Sequence, residues 1–361
     1  MPTFKVAVLE GDGIGPEVIG ATLKVLEKVS ELSGVELVFE RGLIGGSAID
    51  QRGTPLPQET LRLCLESHAV LLGAVGGPKW DHLPTEKRPE KGLLGIRKAL
   101  DLYANLRPVK VYEPLISSSP LKEEVARGTD FIVVRELTGD AYYGEPRGVF
   151  LEGGKRVGIN TMRYTEEEIR RVVRRAFELA LQRRRKLASV DKSNVLEVSG
   201  LWRQVVQEEA QNYPEVEVEH LYVDNCAMQM VRRPSSFDVI VTGNLFGDIL
   251  SDEAAVISGS LGMLPSASLG DRYALYEPVH GSAPDIAGNG VANPLATILS
   301  GAMMLRHSFN MHREADLVER AVELVLERGY RTPDIQSPGC ALVGTEGMAR
   351  EVIRALEELW R

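Results

Sequence analysis

The sequence predicts an α/β fold in which helices pack on a largely parallel sheet. Short apolar runs recur along the chain, and amphipathic helical patterns separate them. Of the 361 residues, 43% are hydrophobic and 26% are charged, which is the composition of an ordinary globular protein with a large core. At roughly 150 residues per domain, this length indicates about two domains.

The short apolar runs are the predicted strands. They cover residues 5–9, 35–39, 69–72, 131–134, 187–190, 221–223 and 237–241. The clearest helix follows Thr165, because Thr165 and Glu168 have the spacing of a capping box. Its apolar stripe consists of Ile169, Val172, Val173, Ala176, Phe177, Ala180 and Leu181. Residues 151–157 hold a Gly-Gly pair between two possible strands, which predicts a β-hairpin resting on another element or another chain.

Charge and cysteine content exclude several classes of protein. The chain has 42 basic and 51 acidic residues and a net charge of −9, which disfavours binding to nucleic acid or to a membrane surface. No run of 18 apolar residues is present, so no transmembrane helix is predicted. The 3 cysteines form no C-x-x-C pair, which argues against a disulfide framework and a structural zinc site and indicates a cytosolic protein.

A glycine-rich turn at 11–16 follows the first predicted strand and precedes a helix. With Glu40 after the second strand, this turn imitates a dinucleotide-binding fingerprint. The spacing is G-x-G-x-G, however, and Pro16 stands where the third glycine of that fingerprint belongs. Two interpretations therefore stay open: a phosphate-binding loop, or a tight turn with Pro16 at the first helical position.

Three arginines form the first candidate binding set. Arg97, Arg107 and Arg135 lie beside strand and turn signals. Guanidinium groups bind carboxylates bidentately, so converging arginines in an acidic protein suit a small polycarboxylate. Taken singly, each arginine could instead be a surface residue.

Three aspartates form a complementary set. Asp248 and Asp252 are four residues apart and share a helix face, and Asp224 ends a predicted strand. Carboxylates without His or Cys suit Mg²⁺ or Mn²⁺ rather than zinc, although an acidic helix surface would have the same spacing. Lys192 follows the end of another strand, where ligands collect in α/β sheets.

The segment 277–294 is the last candidate. It is too rich in Gly, Pro and Asn for a regular element and too apolar for a disordered linker, which predicts an ordered binding loop. Its His280 could be catalytic, or it could stack or hydrogen-bond to a ligand.

Five segments together resemble the β-decarboxylating dehydrogenases that act on 2-hydroxy acids, and the match runs from Lys5 to near the C-terminus. The motifs are GDGIGPE at 11–17, LYANLRP at 102–108, VRELTG at 134–139, TGNLFGDILSD at 242–252 and HGSAPDIAG at 280–288. Within this family the resemblance favours 3-isopropylmalate as the substrate and 2-oxoisocaproate and CO₂ as products of leucine biosynthesis. Isocitrate, homoisocitrate and tartrate are the alternative substrates.

The resemblance implies an α/β architecture of two domains with a three-layer αβα fold, rather than a standard Rossmann fold. The first domain is expected at 1–103 and 259–361, and the second at 104–258. A homodimer with shared active sites is also implied, in which Lys192 and Asp224 enter the site from the partner subunit. The hairpin near Gly153 would then belong to a dimer arm.

The family pattern also implies a role for each site residue. The catalytic acid-base pair would be Tyr142 and Lys192. Substrate contacts would come from Glu90, Leu93, Leu94, Arg97, Arg107, Arg135 and Asp224. The Mg²⁺ or Mn²⁺ ligands would be Asp224, Asp248 and Asp252. NAD would bind His280, Gly281, Ser282, Ala283, Pro284, Asp285, Ile286 and Asn293, so the glycine-rich turn at 11–16 would not be its main site.

Two departures from the family pattern stand out. Asp140 occupies a position where many members carry glycine, and residues 149–164 match less well. Outside the family, the residues alone also allow a non-redox protein that binds metal and polycarboxylate, or an RNA-binding protein. The first gives no reason for the 280–294 loop, and the second lacks a basic face with interleaved aromatics.

Overall fold

Strands alternate with helices along the chain, so the α/β fold class predicted from the apolar runs is confirmed. The computed structural model describes residues 2–361. The strands are β1 (Thr3–Gly11), β2 (Glu36–Arg41), β3 (Ala69–Ala74), β4 (Ala104–Lys110), β5 (Asp130–Glu136), β6 (Gly148–Glu152), β7 (Lys155–Ile159), β8 (Lys186–Asp191), β9 (Glu217–Tyr222), β10 (Val239–Thr242), β11 (Pro265–Leu269), β12 (Ala274–Pro278), β13 (Tyr330–Arg331) and β14 (Ala341–Leu342).

The helices are α1 (Gly15–Ser33), α2 (Gly45–Arg52), α3 (Gln58–Leu65), α4 (Glu90–Ala99), α5 (Glu123–Ala126), α6 (Glu166–Gln182), α7 (Glu197–Ala210), α8 (Val223–Arg232), α9 (Asn244–Ile257), α10 (Leu295–Phe309), α11 (His312–Glu327) and α12 (Thr345–Trp360). None of these described helices combines the length and the apolar character that crossing a membrane requires.

The described chain divides into two compact units. The first consists of the described residues up to Leu102 together with Tyr112–Ser119 and Ser258–Arg361, and the second of Tyr103–Val111 and Pro120–Ile257. The family resemblance implied that residues 112–119 belong to the second domain. In the structure this segment packs with the first unit, where Arg331 donates to the Pro114 carbonyl at 2.9 Å.

In the first unit the strands lie in the order β2-β1-β3-β12-β11. Strand β1 pairs parallel to β2 and β3, and only β11 runs antiparallel to its neighbour β12. All residues of β3 are buried, which is the pattern of a strand covered on both faces. Helix α4 joins this core through Ile96, which packs in one cluster with Leu100 just after the helix and with Leu9 and Leu72.

In the second unit the order is β4-β5-β10-β8-β9, with β4 antiparallel to β5 and the other pairs parallel. Helix α6 begins as predicted. The Thr165 side chain accepts from the Glu168 backbone, and the Glu168 side chain accepts from the Thr165 backbone at 2.7 Å. The predicted stripe of α6 is buried from Ile169 to Ala180, while Leu181 is half-buried.

The predicted hairpin is present and is longer than the sequence indicated. Strands β6 and β7 pair antiparallel around Gly153 and Gly154, whose φ angles are +55° and +77°. Positive φ at both turn residues is what a two-residue hairpin with correctly twisted strands requires. Every residue of β6 is exposed, so this hairpin buries little within its own chain.

Candidate functional site

Most of the candidate residues of the second unit lie on β4, β5 and α9. Strands β4 and β5 present Arg107 and Arg135 from neighbouring positions of an antiparallel pair. Helix α9 presents Asp248 and Asp252 from one face, as their four-residue spacing predicted. The 3₁₀ turn Asp140–Tyr142 supplies the Tyr142 hydroxyl.

Hydrogen bonds join these side chains into one cluster. Arg135 donates to Asp248 through Nη1 and to Asn244 Oδ1 at 3.0 and 2.7 Å through Nε and Nη2. Arg107 donates to Asp252 Oδ1 at 3.1 Å, and its Nη2 lies 3.8 Å from Asp248 Oδ1. The structure therefore places Arg107 and Arg135 in one cluster with Asp248 and Asp252, although the sequence predicted the arginines and the aspartates as two separate candidate sets.

Tyr142 completes this cluster. Its hydroxyl donates to Asp248 Oδ2 at 2.6 Å, and the Arg135 guanidinium lies 5.5 Å from the centre of its ring. Burial, and then the hydrogen bond to the Asp248 carboxylate, raises the pKa of Tyr142 to about 12. The phenol is therefore protonated at neutral pH and has a proton to donate.

Lys192 and Asp224 lie together in the second unit. Lys192 follows β8 as predicted, and its Nζ lies 2.5 Å from Asp224 Oδ1. The hydrogen bond from Lys192 lowers the pKa of the Asp224 carboxyl below its ordinary value. The prediction that Asp224 ends a strand is wrong, because β9 ends at Tyr222 and Asp224 lies in the first turn of α8, where a negative charge is favourable.

The three predicted metal ligands do not form one cluster within this chain. Among residues 2–361, no group of three or more His, Cys, Asp or Glu side chains is placed to hold a metal ion. Asp248 and Asp252 lie with the arginines, whereas Asp224 lies with Lys192. All three are hard oxygen donors of the kind that Mg²⁺ and Mn²⁺ prefer, so their chemistry suits such an ion.

In the first unit α4 carries the other predicted substrate residues. Glu90, Leu93, Leu94 and Arg97 recur at helical spacing and share a face, with Leu93 at its edge toward Ile96. Leu93 is turned further toward the core and packs against the cluster that contains Ile96. From the sequence, Leu93 and Leu94 were expected to have the same role, because two adjacent leucines do not show which of them faces the core.

Arg97 has one partner that the sequence analysis missed. Its Nη2 donates to Glu277 Oε1 at 2.7 Å, and the side chains are only 14% and 10% exposed. The Nε of Arg97 is buried and has no hydrogen-bond acceptor among the described residues. A buried donor of this kind suits an anionic ligand. Glu277 opens the segment 277–294, but nothing in the sequence linked it to an arginine 180 residues away.

The loop 280–294 is ordered by contacts within the first unit. Ser282 accepts from the Ile14 backbone at 2.8 Å, and Ala283, Ile286 and Ala287 pack against Ile14 and Val18. The Asn293 amide donates to Asp334 Oδ2 at 3.0 Å. The prediction of an ordered loop is thus confirmed.

The glycine-rich turn supports this loop. A Cβ on Gly13, which has φ +56°, would lie 2.0 Å from the Ser282 carbonyl oxygen, so only glycine fits there. Pro16 lies in the first turn of α1, as the tight-turn interpretation expected. Glu17 accepts from the Gly288 and Gly290 backbones, the second at 3.0 Å. Glu17 belongs to the motif at 11–17, but the sequence gave it no role.

Two side chains of the loop suit a nucleotide. His280 Nδ1 is 2.9 Å from the Gly281 carbonyl oxygen, and its Nε2 is buried without a partner among the described residues. Burial lowers the pKa of His280, so the ring is neutral at pH 7. The Asp285 side chain is exposed. An orphaned ring nitrogen and an open carboxylate fit the hydrogen-bonding groups of NAD.

Comparison with known proteins supports the family resemblance. A family model described as isocitrate/isopropylmalate dehydrogenase matches residues 5–352. The chain is 70% identical over 359 residues to the 3-isopropylmalate dehydrogenase of Aquifex aeolicus, covering 99% of each chain. It is 60% identical over 356 residues to that of Moorella thermoacetica, covering 98% of this chain and 99% of the relative.

Solved structures agree with this result. The isocitrate dehydrogenase of Methylococcus capsulatus superposes with a TM-score of 0.84 at 35% identity, covering 98% of this chain and 99% of that one. A β-decarboxylating dehydrogenase of Thermococcus kodakarensis gives a TM-score of 0.80 at 36% identity, covering 99% and 97%. From its motifs, fold and relatives, the chain belongs to the isocitrate/isopropylmalate dehydrogenase family.

Proposed function

We propose that the chain is a 3-isopropylmalate dehydrogenase. It would oxidise (2R,3S)-3-isopropylmalate with NAD⁺ and release the β-carboxyl group as CO₂, giving 2-oxoisocaproate in leucine biosynthesis. The observation that carries the chemistry is the Tyr142 hydroxyl on Asp248 with Arg135 beside it. The choice of substrate is supported by relatives of that name at 57% to 70% identity over nearly the whole chain.

The substrate is a dicarboxylate, and the arginines supply its counter-charges. We propose that Arg97, Arg107 and Arg135 bind its carboxylates. Arg97 retains a buried, unused Nε–H for this purpose. Arg135 is 5% exposed, so its charge is screened little by water.

We propose that Lys192 assists as the base and that Tyr142 acts as the acid. Lys192 would assist removal of the 2-hydroxyl proton through water, while the hydride leaves C2 for NAD⁺. Loss of CO₂ then leaves negative charge on the C2 oxygen and an enolate carbon. Tyr142, which holds its proton at neutral pH, would protonate that carbon.

We propose that Asp248 and Asp252, with Asp224 of a second subunit, hold Mg²⁺ or Mn²⁺. Such an ion supplies electrostatic stabilisation of negative charge on the C2 oxygen. The carboxylates keep enough free lone pairs for this role, because Asp252 is 69% exposed and Asp224 is 60% exposed.

A second copy of the chain is the proposed source of Lys192 and Asp224. Helices α8 and α9 pack together and expose Met228, Ile249 and Val256, which are 56%, 59% and 60% exposed. The β6 strand exposes Val149 and Leu151 at 73% and 76%. Apolar side chains this open are typical of an interface. We infer a homodimer that covers them and shares its active sites.

The compartment is proposed to be the cytoplasm. Cys64, Cys226 and Cys340 are free thiols, which suits a reducing compartment. Burial raises the pKa of both the Cys64 and Cys226 thiols to about 12, so neither is reactive at neutral pH.

The test of the function is NADH formation by the purified protein with Mg²⁺ and each of four substrates. We expect 3-isopropylmalate to give the highest kcat/KM, above isocitrate, homoisocitrate and tartrate. Removal of divalent metal with a chelator should abolish turnover, and Mg²⁺ or Mn²⁺ should restore it. If isocitrate equals or exceeds 3-isopropylmalate, the chain is a family member of different specificity.

A further inference from the structure

Asp140 combines two unfavourable features. Its φ is +69°, in the left-handed region that favours glycine, and its side chain is 1% exposed. It begins the 3₁₀ turn that ends at Tyr142. A buried carboxylate in a strained backbone persists only if its surroundings compensate for both.

The compensation comes from hydrogen bonds to both carboxylate oxygens. Oδ1 accepts from the Ala141 backbone at 2.6 Å, and Oδ2 accepts from the Leu245 backbone at 3.1 Å. Leu245 is the second residue of α9, whose first amides have no acceptor within the helix. The amide before it, of Asn244, donates to the Tyr164 hydroxyl at 2.8 Å. The start of α9 is therefore capped by Asp140 and Tyr164 rather than by its own preceding residue.

This cap is one of three hydrogen bonds between residues 139–142 and α9, because Asn244 Nδ2 also donates to the Gly139 carbonyl at 3.2 Å. Asp140 holds Leu245, and Tyr142 donates to Asp248, three residues further along α9. Residues three apart lie on one side of a helix, so these two bonds act on the same side of α9. A glycine at 140 would relax the backbone and would remove the hydrogen bond to Leu245, leaving the bonds from Asn244 to Gly139 and from Tyr142 to Asp248.

We propose that Asp140 is a positioning residue that fixes the start of α9 relative to the Tyr142 turn, and through it the placement of Asp248 and Asp252. This inference rests on the proposed function, because those residues act on substrate and metal only within it. The gain is a fixed orientation for three proposed site residues. The Asp140 carboxylate achieves this through the backbone amides of Ala141 and Leu245, without a hydrogen bond to Tyr142, Asp248 or Asp252.

The first test measures the cap itself. Amide exchange at Leu245 is compared in the wild type, Asp140→Gly and Asp140→Asn by hydrogen exchange. We expect exchange roughly tenfold faster in the glycine variant, and an intermediate rate in the asparagine variant, whose one amide oxygen still accepts. Arg185→Gly is the matched control, because Arg185 is also left-handed at φ +60° in the same unit but is exposed. It should leave Leu245 unchanged.

The second test measures what the cap does. Asp140→Gly should lower kcat at least fivefold and weaken Mn²⁺ binding in calorimetry by a similar factor, with little change in KM for NAD⁺. Asp140→Asn should restore most of both losses. Unchanged Leu245 exchange, or a glycine variant that turns over and binds Mn²⁺ like the wild type, would overturn the inference. A wild type inactive on 3-isopropylmalate would refute the proposed function, and the exchange and Mn²⁺ measurements would still decide the role of Asp140.

Discussion

Tyr142 shows what a single side chain contributes to this site. Its phenol donates to the Asp248 carboxylate, and partial burial and that hydrogen bond raise its pKa to about 12, further above neutral pH. We expect Tyr142→Phe to lower kcat by at least about a hundredfold, since positioned proton transfer contributes roughly 10² to 10⁴. KM for the substrate should change less than threefold. Steady-state NADH formation with saturating Mg²⁺ measures both constants.

The control for this variant is Tyr330→Phe, a tyrosine of β13 for which no catalytic role is proposed. It should retain wild-type kcat. If Tyr142→Phe keeps more than a tenth of the wild-type kcat, Tyr142 is not the proton donor.

Asp285 sets the expected choice of cofactor. Its exposed carboxylate can accept hydrogen bonds from ribose hydroxyls and would repel a 2′-phosphate. We predict a higher kcat/KM with NAD⁺ than with NADP⁺, and a ratio that falls about tenfold or more in Asp285→Asn. Kinetics with each dinucleotide in turn measure the ratio.

Asp81→Asn removes another exposed carboxylate of the first unit and should leave this ratio unchanged. Equal use of NADP⁺ by the wild type would exclude Asp285 as the discriminating residue.

Candidate binding residues could be predicted from the sequence, but the groups that they contact could not. The sequence identified Arg97 as an anion-binding candidate, and its partner Glu277 became apparent only from the fold. Glu17 likewise stood in a quoted motif without a role, because its bonds go to backbone amides near Gly288 and Gly290. Contacts of this kind depend on chain folding over hundreds of residues, which no local pattern contains.

Mutations in helix α4 can distinguish its proposed contact with the substrate from its packing on the core. Leu93 and Leu94 both lie on the face of Glu90 and Arg97, but only Leu93 also packs against the core cluster. We expect Leu94→Ala to lower kcat/KM for 3-isopropylmalate about thirtyfold relative to isocitrate, because three carbons of contact are worth roughly 2 kcal/mol. Leu93→Ala should also lower the free energy of unfolding, by about 1–2 kcal/mol.

The substrate ratio from kinetics and the unfolding free energy from denaturant titration separate these two effects. An unchanged ratio in both alanine variants would mean that α4 does not contact the isopropyl group.

Helices and strands with a regular spacing of apolar residues could be predicted from the sequence, and those without such spacing could not. The capping box and stripe of α6 located that helix correctly. The sequence did not predict strand β4, because Arg107 and Pro108 interrupt its apolar pattern. This strand is held in place by its pairing with β5. The predicted strand at 221–223 coincides with the end of β9, but β9 begins earlier, at Glu217, and Val223 already belongs to α8. A short apolar run does not by itself distinguish a strand from a helix start.

The capping box gives a stability prediction for α6. Thr165→Ala removes the acceptor for the Glu168 backbone and should lower the free energy of unfolding by about 1 kcal/mol. Thr165→Ser keeps the hydroxyl and should lose much less. Urea titration of the two variants measures the difference, and equal losses would mean that the methyl packing of Thr165 matters more than its cap.

At the scale of the whole molecule, one chain lacks a complete set of proposed ligands. Asp224 lies with Lys192, away from the Asp248 and Asp252 pair, so the three aspartates form no single cluster among the described residues, and the proposed dimer would supply Asp224 from a second subunit. The family resemblance implied this separation, whereas residue spacing alone could not, since spacing along a chain says nothing about which copy supplies a side chain. The dimer proposal therefore makes a prediction that a monomeric site does not.

We predict that two inactive variants restore each other. Tyr142→Phe lacks the proposed proton donor, and Lys192→Ala lacks the amine that assists deprotonation. In a two-fold dimer with shared sites, a mixed dimer has one site with both mutations and one with neither. Random exchange makes about half of the dimers mixed, and half of their sites are intact, so about a quarter of wild-type activity should return. Co-refolding the variants at equal concentration, with different tags to verify mixed dimers, and assaying NADH formation measures this recovery. Each variant refolded alone is the control. Mixed dimers without activity would mean that Tyr142 and Lys192 of one chain serve the same site.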